Sequence, residues 1–220
     1  SRTEGYAATA GEFLIEHANE ATDLPSLAAL AKACQACDLH QAATTTVFGS
    51  GPATARIVLL GEQPGDQEDL TGKPFVGPAG KVLDQALNAA GNDRGDVYVT
   101  NVVKHFSHKV IETVRGKRRL HQKPKVREVK CCLPWFAAEM SMLPRVETLV
   151  CLGATAATAV IGPEFRISER RGDCVPSSYC QKTIATWHPS AILRAPNQDV
   201  REARLQQLIE DLRAAAALIT

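Results

Sequence analysis

Four short apolar runs limit what this chain can become. They lie at residues 56–60, 97–103, 148–152 and 183–187. Runs this short and this uniformly apolar read as strands buried on both faces, as in a parallel sheet covered by helices. Apolar residues at helical spacing fill the intervals, at residues 13–21, 27–34, 79–90, 125–142, 154–161 and 199–218. Gly91 reads as the C-cap of the third of these, and Gly162-Pro163 stops the fifth. The alternation predicts a three-layer α/β/α sandwich with a four-stranded, mainly parallel sheet, forming a single domain over residues 1–220. A hydrophobic content of 45% and a charged content of 22% are ordinary for a globular chain of this length. Residues 1–10 are small and polar and are expected to fray.

Ligands in such folds gather at the carboxyl ends of the strands. Glu62 follows the first run, Asn101 sits near the end of the second, and His188 follows the fourth. A separate signal is electrostatic. Residues 104–130 hold ten Lys and Arg against Glu112 and Glu128, or +8, in a chain whose total is only +1. Residues 116–124 read as a basic loop, and Gly116-Lys117-Arg118-Arg119-Leu120-His121 sets one imidazole at the end of a run of fixed positive charge. Such a field suits a polyanion, nucleic acid being the usual one. Its bland reading is a solvated basic loop.

The seven cysteines are an odd number, and no secretory signal is read at the N-terminus, so a disulfide framework is not expected. A cytoplasmic location follows as an expectation. Cys34-x-x-Cys37 then reads as a metal site or a redox pair. Cys151 reads as a buried thiol, and Cys174 and Cys180 receive no role. No apolar run approaches the roughly 20 residues that span a bilayer.

Three motifs lie at the strand ends and between them: Gly61-Glu62-Gln63-Pro64-Gly65-Asp66, the segment 73–80 (Lys-Pro-Phe-Val-Gly-Pro-Ala-Gly), and His188-Pro189-Ser190-Ala191-Ile192-Leu193. Together they resemble the uracil-DNA glycosylase superfamily, specifically its iron–sulfur branch, family 4. The 116–121 segment is similar to the Lys-Arg-Arg-Ile-His loop of the UdgX-type enzymes, with Leu120 in place of Ile. The resemblance runs from about Cys34 to Arg194. It implies excision of uracil from DNA, single-stranded DNA being preferred, by a monomer that stays covalently attached to the sugar through the loop histidine in a single turnover. His121 is then the nucleophile, Glu62 the carboxylate beneath C1′, and His188 the donor to uracil O2. Gln63, Phe75, Asn101 and His188 are implied to bind uracil, Phe75 by stacking. Lys117, Arg118, Arg119 and Ser190 are implied to hold DNA. The resemblance also implies a 4Fe–4S cluster on Cys34, Cys37, His105 and Cys132. Zinc competes, since three Cys and one His suit a tetrahedral site, and Cys131 competes with Cys132.

The residue types fit the chemistry. Breaking the glycosidic bond leaves positive charge on the sugar and negative charge on the base. A carboxylate and a hydrogen-bond donor that answer those charges lower the barrier. Taken singly, the residues read more plainly: Glu62 as a helix-start carboxylate, Phe75 as core, Asn101 as a strand-end turn former, and His188 as a cap. His108 is a minor rival to His121, and His17 and His40 read as surface residues. Two other readings stand beside the covalent one. One is a conventional hydrolytic glycosylase in which His121 only helps bind DNA. The other is a damage-binding module without chemistry.

Overall fold

The computed structural model describes residues 9–220. Helices α1 (Ala10–Glu16), α2 (Leu24–Ala31) and α3 (Leu39–Ala42) lead into strand β1 (Ile57–Gly61). Helices α4 (Asp66–Thr71) and α5 (Pro78–Ala89) and a 3-10 turn (Arg94–Asp96) precede β2 (Tyr98–Asn101). Strands β3 (His108–Thr113) and β4 (Gly116–His121) follow, then α6 (Val126–Ser141), β5 (Thr148–Leu152), α7 (Ala154–Val160) and α8 (Ile167–Arg170). Strand β6 (Thr183–Thr186), α9 (Pro189–Leu193) and α10 (Gln198–Ala217) complete the chain. Among the described residues no helix is long and apolar enough to cross a membrane.

The main sheet has four strands in the order β2-β1-β5-β6, every pair parallel. Alternating side chains feed two cores. Val58, Leu60, Leu149, Cys151 and Ala185 point to one, where Trp135 and Phe136 of α6 and Ala156, Ala157 and Val160 of α7 pack. Ile57, Leu59, Val150, Leu152 and Ile184 point to the other, closed by Leu83 and Leu87 of α5 and Leu208 and Leu212 of α10. The expected sandwich is therefore present, and Cys151 is buried within it. The register sets Gly61 beside Asn101, so the carboxyl ends of β1 and β2 finish level.

Two expectations are corrected. Residues 116–124 are not simply a loop. Residues 116–121 form the second strand of an antiparallel hairpin whose six-rung register runs from His108↔His121 to Thr113↔Gly116. Main-chain pairing satisfies this backbone whatever the side-chain charge, and Glu112 faces Lys117 as an opposite-charge pair. The expected fraying of residues 1–10 fails at its end. Thr9 caps α1 by accepting the Glu12 amide at 3.3 Å, and Ala10 is fully buried. The rest of that expectation, residues 1–8, lies outside the described residues.

Candidate active site

A cavity of about 590 Å³ opens where the carboxyl ends of the sheet meet the hairpin. Glu62, Gln63, Phe75, Asn101, His121, His188 and Ser190 all line it. Glu62 comes directly from the end of β1. One carboxylate oxygen, Oε1, faces His121 Nε2 at 3.1 Å, and the other accepts the hydroxyl of Thr155. Burial alone would raise the Glu62 pKa. The hydrogen bonds from His121 and Thr155, with His121 and His188 nearby, outweigh it and hold the carboxyl below its usual range.

His188 begins α9. Its Nδ1 accepts the Ser190 amide at 3.0 Å, so the neutral ring must carry its proton on Nε2. Burial pushes its pKa down to about 4, which keeps it neutral. It therefore offers an uncharged N–H to the cavity. Asn101 ends β2, and its Oδ1 is buried without a hydrogen-bond partner. Gly61 makes room for that amide: a Cβ there would lie 2.5 Å from Asn101 Oδ1 and 2.7 Å from Phe75 Cζ. The backbone of Asn101 is pinned from below. Lys104 Nζ donates to its carbonyl at 2.5 Å and forms a fully buried ion pair with Glu139, which also accepts Tyr98 and Thr100 hydroxyls.

An apolar-walled cavity now holds an ionised carboxylate, a neutral imidazole donor, an orphaned amide oxygen and a second imidazole. The sequence matches the uracil DNA glycosylase superfamily over residues 48–213. The chain belongs to that superfamily. It is similar to the type-4 uracil-DNA glycosylase of Thermotoga maritima, with 34% identity covering 86% of this chain and 90% of the relative. It is similar also to that of Pyrobaculum aerophilum, at 35% over 79% of this chain and 86% of the relative. A third relative of the same name, from Archaeoglobus fulgidus, is 36% identical over 74% of this chain and 79% of its own.

Within this superfamily member some expected residues take other positions. Arg119 was expected at DNA phosphates. It instead turns inward: its guanidinium bonds Asp66 Oδ1 at 2.7 Å and Asp69 Oδ2 at 2.5 Å and lies over the Phe106 ring. Two nearby carboxylates satisfy it better than solvent. Lys117 and Arg118 stay exposed on β4 and do not line the cavity. Gln63 lines the cavity, but its side-chain amide is engaged at the hairpin base. It accepts the Ser107 amide at 2.7 Å and donates to the carbonyls of Ser107 and Gln122. His108 stacks on Phe106 at 4.7 Å, away from the cavity lining. Thr155, Lys123 and Arg194 also line the cavity and were not anticipated. Thr155 follows the carboxyl end of β5, where the strand-end rule points.

The cysteines divide. Cys34 and Cys132 lie in one core with Cys131 packed against it. Trp135 Nε1 donates to Cys34 Sγ and the Lys104 amide to Cys132 Sγ, each at 3.3 Å. Burial pushes the Cys37 thiol up to about 11 and the Cys132 thiol up to about 12, with neighbouring sulfurs contributing to both. Such N–H···S contacts suit thiolate ligands. Cys131 instead donates to the Ala36 carbonyl, which favours Cys132. His105 is not brought into this set: its Nε2 bonds Thr46 Oγ1 at 2.8 Å. As they stand, no three Cys, His, Asp or Glu side chains among the described residues are arranged to hold a metal ion.

Proposed function

We propose that this chain excises uracil from DNA and that His121 then captures the exposed sugar. One observation carries the reading: His121 Nε2 stands 3.1 Å from Glu62 inside the cavity that holds the unpartnered Asn101 oxygen. That oxygen is an acceptor awaiting a donor, which uracil N3–H supplies. Cytosine presents a lone pair there and would leave the oxygen buried and unsatisfied. Phe75 offers a stacking face. As the glycosidic bond breaks, the electron pair leaves with uracil, whose O2 accepts a hydrogen bond from His188 Nε2–H. Ionised Glu62 favours the cationic sugar.

Capture then follows from the His121–Glu62 pair. With the C1′–uracil bond already broken, a lone pair on the imidazole Nε2 bonds the cationic C1′, and the ring proton that the adduct must lose passes by way of Glu62 to solvent. A positioned imidazole competes well with water because its effective concentration is high. Single-stranded DNA is the preferred substrate, because its uracil need not be unpaired. The protein acts as a monomer with the cell's DNA, in the cytoplasm. Lys117, Arg118 and Ser190 are its DNA contacts. By the family resemblance Cys34, Cys37 and Cys132 are the candidate ligands of a 4Fe–4S cluster with a structural role, and His105 would have to turn from Thr46 to join them as the fourth. Zinc remains the competing occupant, and a brown purified protein would exclude it.

The second reading is hydrolysis with turnover. The relatives this chain is similar to are named type-4 uracil-DNA glycosylases, which supports it. Incubation with a single-stranded uracil oligonucleotide, followed by a denaturing gel, separates the readings. An SDS-resistant shifted band supports capture, free abasic DNA with turnover supports hydrolysis, and intact uracil removes both.

A further inference from the structure

Phe75 is the single non-glycine residue with a positive φ, +52°, among the described residues. For a bulky aromatic residue this left-handed conformation is an outlier that the surroundings must impose. A glycine would adopt it freely but would bring no ring. Phe75 is buried at 6% exposure, lines the cavity, and sits 5.7 Å from the His188 ring, centroid to centroid.

The restraint is visible. Arg94, in the 3-10 turn ahead of β2, donates from Nη2 to the Pro74 carbonyl at 2.8 Å and from Nη1 to the Phe75 carbonyl at 3.1 Å. Its Nη1 also pairs with Asp84 of α5 at 2.9 Å. One planar cation thus fixes two successive carbonyls and is itself fixed by the helix that follows them. Gly80, one turn into that helix, completes the seat: a Cβ there would fall 1.9 Å from the Phe75 carbonyl oxygen. Arg94 does not line the cavity, so it touches neither base nor sugar.

We propose that Arg94 is a positioning residue that holds Phe75 in its left-handed conformation, so that the ring is already in place to stack on a base entering the cavity. The base being uracil rests on the function proposed above. Without the guanidinium the 74–75 peptide relaxes toward negative φ and the ring leaves its seat. The contact is made equally in the ground and transition states, so its loss weakens binding more than it slows the chemical step.

The test measures uracil release from a single-stranded oligonucleotide with enzyme in excess, which reads excision whatever becomes of the sugar. For Arg94→Ala the enzyme concentration giving half-maximal rate should rise about 10-fold or more, with the maximal rate little changed. Phe75→Ala should behave likewise, and the double variant should be no worse than Phe75→Ala alone. Arg94→Lys keeps the charge but loses the fork, so it should fall between wild type and Arg94→Ala. Should Arg94→Ala not fold, the lysine variant decides on the same criterion. A wild-type half-saturation point, or losses that multiply in the double variant, overturns the proposal. If wild type releases no uracil, the functional reading fails and limited chymotrypsin digestion still decides this one. A nick after Phe75 that appears only in Arg94→Ala supports the restraint, and identical digestion of both proteins overturns it.

Discussion

Nε2 of His121 and Oε1 of Glu62 meet at 3.1 Å although they lie 59 residues apart in the chain. Glu62 directly follows the first strand of the sheet, His121 ends the hairpin, and the hairpin is a sheet of its own. Two separate sheets therefore bring these two side chains together. In the proposed reaction Glu62→Gln removes both the charge beneath C1′ and the acceptor for the His121 proton. Uracil release and adduct formation should both fall by about 100-fold or more. Single-turnover assays with quantified gels measure both, and full rates of each would remove Glu62 from the chemistry.

His121→Ser should abolish the adduct while uracil release continues. The smaller side chain leaves space at C1′ for water, so free abasic product should accumulate with turnover. Persistence of the SDS-resistant band in this variant would place the nucleophile on another residue.

Arg119, two residues before His121 on the same face of β4, ties that strand to α4 through Asp66 and Asp69. Its partner Asp69 is fully buried and also accepts the Thr44 amide at 2.9 Å. Both acids sit on α4, whose first residue, Asp66, is the last of the Glu62 motif, so the segment that carries the carboxylate also anchors the strand that carries the imidazole. Arg119→Ala should cut adduct yield several-fold more than uracil release, and leave the salt slope of DNA binding unchanged. Arg118→Ala should do the reverse, lowering that slope by about one without separating capture from excision. A salt slope that falls for Arg119→Ala would return that residue to the phosphates.

The sheet was legible because β1 and β5 are uniformly apolar and buried on both faces, a pattern few other structures produce. Glu62, Asn101 and His188 were legible because strand-end polar residues stand out against such runs. The hairpin was not. Lys109, Glu112, Lys117 and Arg118 leave no apolar alternation, and its pairing depends on backbone geometry that side chains do not announce. Arg119 read as a phosphate contact because its acids lie about 50 residues upstream, beyond any local pattern. The conformation of Phe75 was hidden for the same reason: its restraint comes from Arg94, 19 residues further on.

The Lys104–Glu139 pair lies beneath Asn101 with side-chain exposures of 1% and 0%. Removing one partner strands a buried charge, typically at a cost of about 3–5 kcal/mol. Lys104→Met and Glu139→Leu should each lose stability on that scale in urea. The double variant should lose clearly less than the sum of the two, because no charge is left unpaired, although the Tyr98 and Thr100 hydroxyls and the Asn101 carbonyl still lose their partners. Loosening Asn101 should also admit cytosine. Additive losses in the double variant would contradict the coupling.

Acid should act on excision later than an ordinary histidine would suggest. In the proposed reaction His188 is a neutral donor, and burial holds its pKa down near 4, so that form persists as pH falls through the usual histidine range. Glu62 is held ionised in the same direction, its pKa sitting below the ordinary carboxylate value. His188 therefore keeps its neutral form from neutrality down to about pH 5 and loses it by gaining a proton near 4, while Glu62, held below the ordinary carboxylate value, stays ionised through the usual histidine range. The His188 ring of the wild-type protein, followed by NMR, should stay neutral from pH 8 down to about 5 and take up its proton near 4. A midpoint near 6.5 would mean that His188 titrates as an exposed ring, and its role as an uncharged donor to O2 would fall with that result.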